Sequence, residues 1–168
     1  MKKKIIFLLL ISFILGSFSY AQSGINASFI YEYGGWNGAS GVFKLNAGYS
    51  DYSFETSASA GYVGYANNPY LQWVKNRGPL PSGTWYITGI KNYDYAIIKL
   101  TPSEDVELSN RHSFLIHGKG KNKTIEESSH GCIIITDIAL RRKIRDAYKK
   151  YGSFPLYVKA YVSDSGQG

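Results

Sequence analysis

Short apolar runs, each closed within a few residues by glycine, asparagine, serine or proline, recur along this chain and direct it toward a mainly β fold. Phe29-Ile30-Tyr31-Glu32-Tyr33 and Val42-Phe43-Lys44-Leu45 are two such runs. They are too short for helices and rich in the aromatic and β-branched side chains that fit a pleated surface. The Asn37-Gly38 pair between them suits a primed hairpin turn, which needs positive φ at both central residues. Gly61–Pro69 carries too much glycine and asparagine for a core strand and is expected to form a shaped loop. The double-proline turn Gly78-Pro79-Leu80-Pro81-Ser82-Gly83 leads into Thr84–Ile90 and Tyr95–Leu100, which read as a hairpin joined through Lys91–Asp94.

One helix interrupts this pattern. Between Ile138 and about Tyr151, the residues Leu140, Ile144, Ala147, Tyr148 and Tyr151 share one helical stripe. Thr136 or Asp137 stands at the N-cap position and Gly152 at the stop. Arg141, Arg142, Lys149 and Lys150 lie off the stripe and read as solvated charges. Phe154–Val162 is then the final strand, and residues 163–168 form a frayed tail. The expected architecture is a single mainly β domain with one C-terminal helix before the last strand.

Met1-Lys2-Lys3-Lys4 followed by Ile5–Leu15, apolar except for Ser12, has the form of a signal peptide. Ser19-Tyr20-Ala21 places small residues at the first and third positions of a cleavage site, so residues 1–21 are expected to be the leader and 22–168 the domain. The apolar run falls short of the roughly 20 residues of a bilayer span. The expectation is therefore a periplasmic or secreted protein with no integral membrane segment after cleavage. Loss of the leader removes three of the 19 Lys and Arg and none of the 12 acids, leaving a net charge of +4. That balance favours an anionic polymer or membrane face. The basic residues are scattered, with no single-strand stacking motif and no phosphate-cradling loop before a helix, so no nucleic-acid partner is expected.

Cys132 is the sole cysteine, so no disulfide closes within the chain. All three histidines, His112, His117 and His130, lie shortly before it. Ser113–His117 reads as a strand with Phe114 and Ile116 on one face and Leu115 and His117 on the other. Gly118–Ser128 is a polar exposed loop, and Cys132–Thr136 resumes a buried strand. A thiol becomes a useful nucleophile when an imidazole takes its proton, which assigns Cys132 as nucleophile and His117 as base. Gly131, lacking Cβ, lets the chain turn and directs the amides of Gly131 and Cys132 at a developing oxyanion. Ser129 and His130 orient the site or touch substrate, and His112 is an exposed histidine outside the chemistry.

Three other readings stay open on these residues. Cys132 can be an inert buried hydrophobe. His117, His130 and Cys132 can supply three ligands to zinc, as in a zinc-dependent wall peptidase. The tyrosines Tyr31, Tyr33, Tyr62, Tyr65 and Tyr70 can form the contact surface of a non-catalytic wall-binding module. The favoured reading needs no metal and no cofactor.

Ile116-His117-Gly118, a polar loop, then Ser129-His130-Gly131-Cys132-Ile133 resembles the signature of YkuD-type L,D-transpeptidases. Gly61–Pro69 and Gly78–Ile87 are similar to the branch that contains type VI secretion L,D-transpeptidase effectors. The resemblance implies an L,D-transpeptidase-like β-sandwich, with Cys132 as nucleophile, His117 as base, the Gly118 carbonyl orienting the imidazole, and His130, Gly131 and Cys132 around the oxyanion. It implies a peptidoglycan stem peptide as acyl donor, cut between the L-centre of a diamino acid and D-alanine through a thioester. An amine acceptor then gives a 3,3 cross-link or an exchanged D-amino acid, and water gives L,D-carboxypeptidase activity. A secreted effector of this kind also implies an immunity protein as partner. The chain departs from the pattern in a shorter loop before Ser129 and in Ile134, where many members carry Asn or Arg.

Overall fold

The computed structural model describes residues 24–163 apart from 35–39 and 49. The expected leader, the Asn37-Gly38 turn and the tail at 164–168 lie outside the described residues. Strand β1 (Asn26–Tyr33) pairs antiparallel with β2 (Ser40–Asn46), Phe29 opposite Phe43 and Ile30 opposite Val42. Alternation decides which side is buried: Ala27, Phe29, Tyr31, Phe43 and Leu45 face the core, whereas Ile30, Val42 and Lys44 face out.

The sheet grows outward from this pair. Strand β3 (Phe54–Ser57) joins β2, while the last strand, β9 (Phe154–Val162), runs parallel to β1 and antiparallel to β5 (Gly83–Asn92). β5 forms a hairpin with β6 (Ile97–Pro102), followed by β7 (Leu115–His117), β8 (Ile133–Ile134) and finally β4 (Ser59–Ala60). The order is β3-β2-β1-β9-β5-β6-β7-β8-β4. Its two edges, β3 and β4, are separated in the chain by Ala58 alone, whose N–H donates to Gly41 O at 2.9 Å. The sheet has therefore wrapped almost into closure, which leaves little free edge.

The helix forms where its pattern predicts. α1 (Ile138–Tyr151) starts at Asp137, whose carboxylate accepts from Ala139 N–H at 2.7 Å, and ends at Gly152 with φ of 76°. Ile144 and Ala147 are buried, and Leu140, Tyr148 and Tyr151 pack against the core. Arg141 departs from its expected place in solvent. It is 5% exposed and donates to the carbonyls of Ile135 and Thr136 in the segment entering the helix and of Tyr95 in the β5–β6 turn, since a buried carbonyl needs a donor.

Three strand boundaries also shift. Register irregularities at Ile87/Gly89 and Ile90/Asn92 accompany a β5 that runs to Asn92, so the hairpin turn falls at residues 93–96 rather than at Lys91–Asp94. Ser113 has a φ of 64°, which breaks the extended run, and the strand there shortens to Leu115–His117. Cys132 occupies the bend before β8 instead of opening the strand.

Trp85 is fully buried, its indole N–H donates to Pro81 O at 2.9 Å, and Phe114 meets it edge-on at 4.9 Å. Trp85→Ala should lower the unfolding free energy in urea by about 3–5 kcal/mol, whereas Tyr157→Ala on the exposed face should lie within about 0.5 kcal/mol of native.

Candidate active site

Two short parallel strands build the centre. Ile116 pairs with Ile133 and His117 with Ile134. Ile116 and Ile133 turn into the core, so the alternate positions Leu115 and His117 on β7, and Ile134 on β8, face the other way. Continuing the register backward brings Cys132, in the bend before β8, opposite Leu115. From strand rise and spacing, the Cys132 and His117 Cα atoms stand roughly 8 Å apart. The Leu115 amide points at the Cys132 sulfur. Among the described residues no hydrogen bond joins the sulfur to the imidazole.

The imidazole is held firmly. Its Nδ1 lies 2.8 Å from Gly118 O. With that carbonyl accepting, Nδ1 carries the proton and Nε2 presents a lone pair. The His117 main-chain carbonyl accepts from Ile135 N–H at 3.0 Å, tying the end of β7 to β8. Behind Gly118 lies Arg141: a Cβ at position 118 would sit 2.8 Å from its guanidinium, so the residue after the histidine must be small.

Burial pushes the His117 imidazolium below its ordinary 6.5; the Gly118 carbonyl opposes this, and the charges of Arg141 and Lys91 add to it. Burial likewise raises the Cys132 thiol above 9.0, against the pull of the Leu115 amide, Arg111 and Lys91. Both shifts favour neutral forms. The resting pair is thiol and imidazole.

The turn before Cys132 is fastened from inside. Ser129, grouped by sequence with the substrate-touching residues, is 0% exposed. Its Oγ donates to Cys132 O at 2.6 Å and accepts from Gly61 N–H at 3.0 Å and Gly131 N–H at 3.1 Å. Ser129 is therefore a latch between the Gly61 loop and the cysteine turn. The same bonds engage the Gly131 amide with the Ser129 hydroxyl. The Cys132 amide makes no hydrogen bond among the described residues and remains available for a developing anion. Gly131 has a φ of 129°, and a Cβ there would run into the Arg111 guanidinium, so glycine is required for both conformation and space.

A cavity of about 110 Å³ opens beside the sulfur, lined by Cys132, His130, Arg111 and Phe114 and rimmed by Lys75 and His112. His130 is exposed and stacks on Tyr62 at 5.4 Å. Arg77 lies 5.9 Å from the Tyr62 ring centre and extends the groove with Lys75 and Asn76. His112 is exposed, as its polar surroundings predict, and its Nδ1 meets Ser113 Oγ at 2.9 Å. Tyr31, one of the tyrosines considered for a contact surface, is fully buried, and its hydroxyl donates to Leu80 O at 2.9 Å. Among the described residues no three His, Cys, Asp or Glu side chains converge as metal ligands, so the zinc trio is not assembled.

Sequence reasoning missed Arg111 and Arg141. Both serve carbonyls supplied by other segments, and no local spacing announces such a role.

A family model for the Tlde1 domain matches residues 55–154, more than half of the chain. No curated protein matches. Among solved structures, that of Bdellovibrio bacteriovorus Bd1075 is similar, with 12% identity and a TM-score of 0.37 over 82% of this chain and 50% of that one. The chain thus spans about half of that protein. The family match runs from β3 to the first residue of β9 and takes in Arg111, His117, the Ser129–Cys132 turn and α1. The chain belongs to the Tlde1 domain family, the L,D-transpeptidase-like effector domains of type VI secretion.

Proposed function

We propose that this chain is a cell-wall cysteine acyltransferase that attacks peptidoglycan stem peptides through Cys132. The observation that carries the reading is the β7–β8 pairing, which sets the turn holding the half-buried Cys132 beside the strand that ends in an imidazole fixed through Nδ1 to Gly118 O. His117 Nε2 takes the thiol proton as sulfur adds to the amide carbonyl between the L-centre and D-alanine. The oxyanion receives the Cys132 N–H. Collapse breaks the C–N bond, and the imidazolium returns its proton to the departing D-alanine amine. A thioester on Cys132 remains, to be resolved by an amine for cross-linking or exchange, or by water for carboxypeptidase activity.

The groove formed by Tyr62, Lys75, Arg77 and His130 supports a donor that carries carboxylates, since it offers two cations and an exposed stacked imidazole. Exported through its leader, the protein acts in the periplasm or outside the cell. A producing cell then holds an immunity protein against it, which fits the family's place among effectors.

Intact-protein mass measurement after exposure to a tetrapeptide muropeptide or a carbapenem tests the chemistry. Native protein should gain one covalent adduct and Cys132→Ser none. His117→Ala should slow adduct formation by about 10²–10⁴-fold. An adduct on Cys132→Ser, or unchanged muropeptides with native protein, would refute the reading.

The pH profile follows from the imidazole. Because the His117 pKa is lowered, its basic form persists to lower pH than for a free histidine. The acid limb of kcat/KM should therefore have its midpoint below 6.5, as read from initial rates of D-alanine release.

A further inference from the structure

Arg111 is buried and has no acidic partner among the described residues. It is 5% exposed, and the preceding Ser109 and Asn110 both have positive φ, 47° and 59°, which turns the chain so that this side chain points inward. Its guanidinium donates to the carbonyls of Gln72, Pro79 at 2.8 Å, Gly78 at 2.7 Å and His130 at 3.5 Å, and lies 4.9 Å from the Phe114 ring centre. The ion pairs among the described residues are Lys44–Glu55 and Arg145–Asp146. Carbonyl dipoles solvate the Arg111 charge but do not neutralise it, and a buried cation without a counter-charge is unfavourable.

The groups around the cysteine show which anion this arrangement can receive. Arg111 lines the same cavity as Cys132, together with Lys75, His112 and His130. Lys91 acts on the sulfur from β5 and the Leu115 amide from β7, with His117 next along that strand. Behind Arg111 lies the Tyr31 phenol, kept neutral by burial. None of these neighbours is a carboxylate, and the one ionisable thiol in the protein faces them.

We propose that Arg111 is the positioning residue of the site, clamping the His130–Cys132 turn and providing the buried positive charge against which the Cys132 thiolate forms. The two roles share one side chain. The bond to His130 O fixes the turn, while the remaining charge offsets the burial that opposes ionisation of the sulfur. His117 then acts as proton carrier rather than as the principal counter-ion. This deepens the acyltransferase reading and rests on it only for its consequence in catalysis, because ionisation of the thiol is measurable without substrate.

The test is the rate of Cys132 alkylation by iodoacetamide as a function of pH, on native protein and on Arg111→Gln, Arg111→Lys and His117→Ala, with folding checked by thermal melting. Arg111→Gln should move the midpoint upward and slow alkylation at pH 8 about tenfold, the factor for a displacement of one unit. Arg111→Lys should restore most of the rate, and His117→Ala should leave the midpoint near native. An Arg111→Gln profile coincident with native would overturn the proposal. Native protein supplies a second arm that needs no variant. A field from a buried charge resists salt, so the midpoint should hold between low and high sodium chloride; an upward drift with salt would assign the field to exposed lysines and overturn the proposal as well. A shifted profile without any muropeptide adduct would leave this inference standing while removing the acyltransferase reading.

Discussion

The pairing of β7 with β8 is the constraint on which the site depends. These strands are short, and two ladder pairs, Ile116 with Ile133 and His117 with Ile134, join them. Parallel register, continued one residue back from β8, puts the cysteine two positions behind the histidine, and alternation on β7 puts His117 on the face away from the core. A slip of one residue would turn the cysteine inward and bury it among the isoleucines. The register is held because Ile116 and Ile133 are fully buried, and because Ser129 fixes the chain just before the cysteine.

The electrostatics around the sulfur are one-sided. Arg111, Lys91 and Lys75 are cationic, and His117, His112 and His130 are imidazoles. Burial works against charge on both reacting groups, so the resting thiol stays protonated and protected from casual oxidation, since the thiolate is the reactive form. Hydrogen-bond donors and positive charge surround the place where an anion develops, as acyl transfer requires. In the proposed reaction such a thiol is quiet at rest and favoured as nucleophile once substrate arrives.

Much of this was legible in the residues. The α1 stripe, its Asp137 cap and the Gly152 stop act through neighbours in sequence and therefore appear in sequence, as does the β9 run. The mainly β character with one helix before the last strand followed from the same local signals. The Gly118 carbonyl on His117 was expected from the family resemblance, and the contact is present. Ser129 was expected to orient the site or touch substrate because it stands just before the cysteine turn; its partners include Gly61, 68 positions earlier in the chain, which sequence does not announce. Arg111 and Arg141 were hidden for the same reason. Their acceptors are main-chain carbonyls, which every residue has, so only the fold reveals which ones converge. The strand at Ser113 was overestimated because a left-handed turn at a serine leaves no mark in hydropathy.

The wrap of the sheet has a mechanical consequence. Residues 54–60 bind β2 at one end and β8 at the other, so a single stretch acts as the zip between the two halves of the wall. Its hold on β8 is a ladder of two residues, Ser59 with Ile134 and Ala60 with Ile133, and Cys132 comes immediately before those partners. Fraying at this seam would loosen the sulfur before it disturbed the aromatic core, which makes the integrity of the cysteine turn a more fragile property than the integrity of the fold.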